Sequence, residues 1–454
     1  MTLNPDIFKA YDIRGIYPTD IDEAGARAIG SAFAVYLGSR EIAVGYDMRL
    51  SSPSLKAAFV EGVTEQGVDV TDYGMLSTDM MYFAVASANH SGGAQITASH
   101  NPKQYNGVKL VREGAFPLSG DAGINDIRDM IAEGAIPGPA KRRGDVDNRS
   151  VLDPYVEHVM SFIDPTIVKP FNVVLDAGSG TAAIAAPRCF DRLACNTTKL
   201  CFDIDGNFPN HEANPLIEEN RRDITEEVIR QKADVGIAWD GDADRCFFID
   251  ETGDFIAGDF VTALLAQAFL LKQPGATIIY DVRASWAVPE IVERHGGTPL
   301  VNRVGHAFIK ERMRKDGALF GGEVSGHYYF RDFNQADSGT IPALLMLELV
   351  SKRDQPFSEI LRPFRERYFL TGELNTPVPD VALKLQELKE HFADQGEISH
   401  LDGISITAEN WHMNVRPSNT EPLLRLNLEA LDPELMERKR DEALAVISDE
   451  GLVS

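Results

Sequence analysis

Three aspartates at alternate positions open the chemistry of this chain: Asp240, Asp242 and Asp244, in Asp240-Gly-Asp-Ala-Asp-Arg245. Carboxylates this close repel one another unless something positive sits among them. Each can turn inward around Gly241 or Ala243, and oxygen donors in that array suit a hard divalent cation. Two plainer readings compete. A solvated acidic turn seldom needs three aspartates in so regular a spacing. A calcium-binding EF-hand loop would use the same three as its first ligands and Glu251 as its closing glutamate. Arg245, however, stands where that loop needs glycine, and the preceding Val235–Trp239 (VGIAW) reads as a strand rather than a helix.

A second motif, Thr97-Ala-Ser-His-Asn-Pro102 followed by Tyr105-Asn-Gly-Val-Lys109, offers a nucleophile. Ser99 falls on a loop just past a strand end, where α/β proteins place reactive groups. A serine hydroxyl needs a base, a charge or a metal to assist it, and His100 and Lys109 are near in sequence. Read alone, the stretch is as well explained as a turn capped by its own side chains. A third motif, Gly321-Gly-Glu-Val-Ser-Gly-His327, sets Glu323 and Ser325 on a flexible backbone, a pairing suited to vicinal sugar hydroxyls, with His327 able to exchange a proton near neutrality. The fourth, Arg416-Pro-Ser-Asn-Thr-Glu421, combines a forked guanidinium with the hydroxyls of Ser418 and Thr420 and the inward N–H groups of a turn, the makings of an anion cradle, though Ser-Asn-Thr is also common in plain turns.

These residues need elements to hold them. At 454 residues the chain exceeds one core and should divide into units of about 100–150 residues. A formal charge of −25 argues against a general nucleic-acid binder but not against a phosphorylated small substrate, which a local cluster of cations can hold. The first residues carry no basic stretch followed by an apolar core, and the longest apolar runs, Phe260 to Leu271 and Ile341 to Val350, are short for a membrane helix and read as buried ones. Four cysteines without CxxC spacing disfavour a zinc or redox motif. The cytoplasm is the expected location, without membrane or nucleic-acid partners.

Short apolar runs alternate with amphipathic patterns, the mark of α/β layers. Strands are predicted at 41–46, 68–73, 172–177, 235–239 and 277–280, and helices at 22–37, 54–66, 225–232, 258–271 and 306–315. Polar or proline-bearing joins at 137–148, 251–253 and 363–370 suggest four units: 1–150, 151–252, 253–365 and 366–454.

In chain order the four motifs, with the opening Phe8-Lys-Ala-Tyr-Asp-Ile-Arg-Gly15, resemble the α-D-phosphohexomutase superfamily and, within it, the phosphomannomutase/phosphoglucomutase branch. The resemblance spans nearly the whole chain, one motif per expected unit. It implies three similar mixed α/β domains plus a smaller C-terminal α+β domain, heart-shaped around a central cleft. It further implies that Ser99 is a phosphoserine, that Ser99, Asp240, Asp242 and Asp244 hold Mg2+, and that His100, Lys109 and Arg245 complete the catalytic set, with Lys109 the proton-transfer partner. By the same resemblance Glu323 and Ser325 read sugar hydroxyls, and Arg416, Ser418, Asn419 and Thr420 bind the phosphate that is not transferred. Tyr11, Arg14, Arg283, His306 and His327 match other substrate-binding positions.

Arg283 departs from bifunctional members that carry lysine in its segment; an arginine cannot act as a base at ordinary pH. Trp286 resembles dedicated bacterial phosphomannomutases, whereas Gly326 resembles the bifunctional members. The implied activity interconverts mannose 1-phosphate and mannose 6-phosphate through hexose 1,6-bisphosphate, with phosphoglucomutase activity beside it, in a monomer or homodimer. A phosphoglucosamine mutase and a metal-dependent sugar phosphatase are the alternatives.

Overall fold

A computed structural model describes residues 3–120, 122–418 and 423–448. Local signals place many elements within a few residues of expectation. The helix Glu23–Leu37 starts where the Asp22 carboxylate accepts the Gly25 N–H, a side-chain cap for an otherwise unpaired donor. The strands Glu41–Tyr46, Asn172–Asp176 and Val235–Trp239 are buried apolar runs, as central strands of parallel sheets should be.

Among the described residues the strands form four sheets, and the first three share one winding. In each, a central strand is flanked by the next two strands, both parallel to it, and the third then turns back into an antiparallel fourth. In the first sheet the centre is Glu41–Tyr46, flanked by Asp69–Met75 and Gly92–Ile96, with Tyr105–Arg112 returning. In the second it is Asn172–Asp176, flanked by Asn196–Leu200 and Val235–Trp239, with Cys246–Asp250 returning. In the third it is Thr277–Asp281, flanked by Thr298–Asn302 and Phe320–Gly322, with Tyr328–Phe330 returning. The third-to-fourth-strand turn is therefore the same structural position three times over, and it carries Ser99, the aspartate triad and Glu323 in turn.

The first sheet gains Ile13–Ile16 at one edge and Val146–Asn148 at the other. The latter lies inside the stretch read from sequence as a linker. Its three residues are all exposed, so no hydropathy signal announced it; its hydrogen bonds to the edge strand Asp69–Met75 define it. The fourth sheet is antiparallel throughout, in the order Phe369–Pro377, Leu423–Ala430, Trp411–Pro417, Ile404–Thr407, Glu397–Ser399.

The cores set the C-terminal unit apart from the other three. One apolar cluster runs through the first three units, joining Tyr82 and Phe83, Tyr155 and Phe190, and Phe333 and Leu344. At its centre the buried Asp79 carboxylate accepts from Ser77 Oγ (2.5 Å), Tyr155 Oη (2.5 Å) and Ser338 Oγ (2.6 Å), one hydroxyl from each unit. Burial raises its pKa to about 6 against the pull of those donors. The C-terminal sheet and its helices Val381–His391 and Pro433–Ser448 close over a separate core of Leu388, Phe392, Met413 and Leu426. The two long apolar segments are the buried helices Gly258–Lys272 and Thr340–Arg353, and among the described residues no helix is long and apolar enough to cross a membrane.

Candidate active site

The Ser99 loop is held from behind by a residue that the sequence did not single out. The buried Arg49 guanidinium donates to the carbonyls of Ser99 (2.7 Å), Asn101 (2.6 Å), Pro102 (2.9 Å) and Tyr105 (3.0 Å). Its Nε lies 3.2 Å from Asp47 Oδ2, which balances its charge. Five donors in a rigid fork suit a fan of carbonyls as no other side chain does. A charged residue just past a strand end, in Glu41-Ile-Ala-Val-Gly-Tyr-Asp-Met-Arg49, was the available signal. Ser99 itself sits at φ 51°, a left-handed conformation that a non-glycine residue adopts only when its surroundings enforce it.

That conformation aims Ser99 Oγ at the acidic turn of the second unit, where it donates to Asp240 Oδ2 at 2.8 Å. The two loops meet with almost no clearance: a Cβ on Gly241 would lie 2.6 Å from the Ser99 carbonyl oxygen. Asp240, Asp242 and Asp244 are buried and bring their oxygens within 4.8 Å of one another. Asp242 Oδ2 accepts from Thr78 Oγ1 (2.5 Å) and Lys109 Nζ (2.7 Å), and Asp244 Oδ2 accepts from Lys109 Nζ (2.5 Å). Asp242 Oδ1 and Asp244 Oδ1 are buried with no hydrogen-bond partner. Buried carboxylate oxygens left unpaired beside a third carboxylate are what a hard divalent cation would satisfy, so these residues fit a metal. The EF-hand alternative fails in the fold: a strand precedes the turn, and Glu251 accepts from Ser358 instead of facing the triad.

Charge sorts the neighbouring groups. Burial opposes a positive Lys109, but Asp242 and Asp244 outweigh it and raise its pKa, so it is held as the ammonium ion. Burial drives His100 well below its usual range, with Arg245, Arg14 and Lys109 adding to the effect, so its imidazole is neutral. Arg245 Nη2 lies 2.7 Å from His100 Nδ1. Arginine can only donate, so Nδ1 is the acceptor nitrogen and the ring proton is on Nε2. Arg245 also lies 3.4 Å from Asp240. Arg14 joins the loop by donating to Asn101 Oδ1 at 2.5 Å.

The third unit closes against this centre through its backbone. Arg245 and His327 form an isolated antiparallel bridge, and Cys246 N donates to the Gly326 carbonyl at 3.1 Å. Gly326 has φ 86° and a Cβ there would lie 2.6 Å from the Phe247 ring, which explains glycine at this position. His327 Nε2 is 3.4 Å from Asp244 Oδ1, and its Nδ1 is 3.2 Å from Ser325 Oγ. Its ring stacks on His306, which meets Tyr11 edge-on at 5.1 Å. Glu323 is buried; it accepts from Tyr329 Oη and from Gly305 N (3.2 Å), and Arg283 stands 3.7 Å away.

A second cationic group lies at the junction with the C-terminal unit. Glu373 accepts from Arg283 Nη1 (3.2 Å), Arg416 Nη2 (3.1 Å) and Arg425 Nη1 (2.6 Å). Burial favours its neutral form, but the three guanidiniums prevail and lower its pKa to about 2. Asp281 clamps Arg283 from the other side at 2.9 Å and 3.0 Å. The negative neighbours raise its pKa against burial, so Arg283 is a fixed cation. Arg425, absent from the sequence expectations, donates to Ser418 Oγ at 3.4 Å, beside Arg416. Asn419 and Thr420 lie outside the described residues. Phe8, Lys9, Arg303, Phe308, Asp402 and Arg416 help to line a cavity of about 510 Å³ between the first, third and fourth units.

Sequence comparison matches all four parts of one family: phosphoglucomutase/phosphomannomutase α/β/α domain I over residues 5–135, domain II over 153–253, domain III over 257–368 and the C-terminal domain over 373–446. The chain is 42% identical over 450 residues to the phosphomannomutase of Escherichia coli strain K12, covering 97% of this chain and 99% of the relative. It is 43% identical over 437 residues to a protein of Xanthomonas campestris pv. campestris strain B100 described as phosphohexose mutases, covering 96% and 97%. A crystal structure of a phosphoglucomutase/phosphomannomutase family protein from Burkholderia thailandensis superposes with a TM-score of 0.90 at 33% identity, covering 99% of each chain.

Proposed function

The chain belongs to the phosphoglucomutase/phosphomannomutase family, and from that premise we propose that it is a phosphomannomutase that works through phosphorylated Ser99 and also accepts glucose phosphates. The phosphoryl group on Ser99 Oγ passes to the free hydroxyl of a mannose monophosphate. The resulting hexose 1,6-bisphosphate reorients, and its other phosphoryl group returns to Ser99, leaving the isomer.

The observation that carries this reading is the 2.8 Å contact of Ser99 Oγ with Asp240, inside a buried set of carboxylates with two oxygens unpaired. A nucleophile and a cation seat supplied by different units meet there. Asp240, Asp242 and Asp244, with the phosphoserine, would hold Mg2+, which when bound offsets charge on the phosphoryl oxygens. The side chains do the rest by position and charge, the usual means in phosphoryl transfer. His100 Nδ1, 3.2 Å from Ser99 Oγ, receives an Arg245 N–H and so holds that guanidinium on the Ser99 side of the ring. Lys109 stays cationic beside the same centre. Glu323, fixed by Tyr329 and the Gly305 amide, would accept from vicinal sugar hydroxyls, with Ser325 beside it. Arg416, Ser418, Asn419 and Thr420 would grip the phosphate not in transit. Because the C-terminal unit has its own core, the cradle can move relative to Ser99 while the sugar turns over.

Purified protein activated with hexose 1,6-bisphosphate should convert mannose 1-phosphate to mannose 6-phosphate without releasing inorganic phosphate. Mass spectrometry should find the phosphate on Ser99, and Ser99→Ala should lose turnover. Stoichiometric phosphate release would instead make the protein a sugar phosphatase. A higher kcat/KM on glucosamine phosphate than on mannose or glucose phosphate would move it to the neighbouring mutase class.

A further inference from the structure

The second unit gathers three donor side chains that the proposed mutase chemistry leaves unused. Asp176 ends the central strand of the second sheet, Cys201 follows the flanking strand Asn196–Leu200, and His211 lies further along the same loop. The His211 Nε2, Asp176 Oδ2 and Cys201 Sγ atoms all lie within 4.8 Å of one another. We propose that Asp176, Cys201 and His211 form a site for a soft-to-borderline divalent cation, Zn2+ by chemistry, with water as the fourth ligand.

Convergence on one nitrogen is the central observation. Both Asp176 Oδ2 (3.0 Å) and Cys201 Sγ (3.6 Å) approach His211 Nε2. A catalytic relay would place the thiol and the carboxylate on opposite ring nitrogens; here they share one, as ligands around a common centre do. Tetrahedral zinc with ordinary bond lengths sets sulfur and nitrogen about 3.6 Å apart and nitrogen and oxygen about 3.4 Å apart. The sulfur is already in place, and the carboxylate needs to move a few tenths of an ångström.

The surrounding contacts suit ligands. His211 Nδ1 lies 3.0 Å from the Glu212 carbonyl, the second contact that orients most metal-binding histidines. Asp176 Oδ1 accepts from Gly178 N at 2.9 Å, leaving Oδ2 for the cation. Asn210 Nδ2 approaches Cys201 Sγ at 3.3 Å and helps to fix its position. Cys201 is half-buried, so water can reach the remaining position, while the His211 and Asp176 side chains are largely buried. A His–Asp ion pair whose Nε2–H also reaches the Cys201 sulfur is the competing account, and it gives no metal-dependent thiolate band.

The site would brace the active centre from outside. The loop it pins carries Phe208, whose ring lies 5.6 Å below the Arg49 guanidinium, and Phe208 packs with Met48 and Ala213. Arg49 in turn holds the Ser99 loop.

Co2+ titration of metal-free full-length protein tests this. One equivalent should produce a near-ultraviolet thiolate-to-cobalt charge-transfer band with tetrahedral visible bands, displaced by Zn2+ but not by excess Mg2+. The all-oxygen triad at Asp240 to Asp244 cannot give a thiolate band. Cys201→Ser should abolish it. In the unsubstituted protein, one equivalent of Zn2+ should slow alkylation of Cys201 on the order of tenfold, and Mg2+ should not. Absence of the band at stoichiometric Co2+, its survival in Cys201→Ser, or no protection by Zn2+ overturns the site. None of these readouts uses mutase activity.

Discussion

Replacing Gly241 by alanine is the sharpest test of how the nucleophile and the acidic turn depend on each other. The added Cβ would lie 2.6 Å from the Ser99 carbonyl oxygen and 2.8 Å from Met48 Cε, where ordinary contact begins at 3.4 Å. Gly241 is not in the left-handed region, so alanine meets no backbone strain of its own and the whole effect is steric. The methionine end can swing away; the carbonyl cannot, because Arg49 holds it at 2.7 Å. Relief therefore requires the two loops to part by about 0.8 Å, the difference between 2.6 Å and 3.4 Å. Taken up between them, that displacement stretches the 2.8 Å contact of Ser99 Oγ with Asp240 to as much as about 3.6 Å, beyond hydrogen-bond range. A misplacement approaching 1 Å costs on the order of 10²-fold in rate, or about 2.7 kcal/mol of transition-state stabilisation. The expected result in a mannose 1-phosphate assay is a kcat lowered by that factor, with KM little changed because Glu323, Arg416 and Arg425 are on other elements. Gly138→Ala, at a position with nothing within 4 Å, is the control and should be silent. A Gly241→Ala enzyme retaining kcat within threefold would refute the claim that this close approach sets the catalytic geometry.

Arg49→Lys keeps the charge but loses the fork, leaving at least one of four buried carbonyls unpaired. The expected cost of about 3 kcal/mol lowers the melting temperature by roughly 6–12 °C in scanning calorimetry, with kcat falling as well. Asp242→Asn should weaken activation by Mg2+ in a titration of rate against metal concentration; an unchanged half-saturation point counts against the triad. Glu373 has a folded-state pKa of about 2 against 4.5 ordinarily, so its bonds stabilise the protein above about pH 4.5 and fail as pH falls toward 2, a contribution of about 3 kcal/mol. Glu373→Gln should therefore flatten acid unfolding of the C-terminal unit, followed by intrinsic fluorescence, and raise KM as three guanidiniums lose their shared anion; unaltered acid unfolding would contradict this.

The sequence by itself determined the parts. Apolar runs such as Val235–Trp239 and the capped start of Glu23–Leu37 are local signals, because strand burial and helix capping are decided within a few residues. The motifs around Ser99, Asp240, Glu323 and Arg416 were legible for the same reason: each is a short stretch whose residue types already state a chemistry. Their assembly was not legible. That three of these motifs occupy one repeated turn follows from strand order, which no local pattern records. Arg49 and Arg425 escaped notice because an arginine in sequence looks like a solvated surface charge. Only packing reveals that one is buried against four carbonyls and the other turned onto Glu373. The strand Val146–Asn148 was hidden because a sheet edge is made by backbone hydrogen bonds, to which its exposed side chains are indifferent. Tertiary structure alone decided which charges face one another, since electrostatics and hydrogen bonding act over ångströms of space rather than over residues of chain.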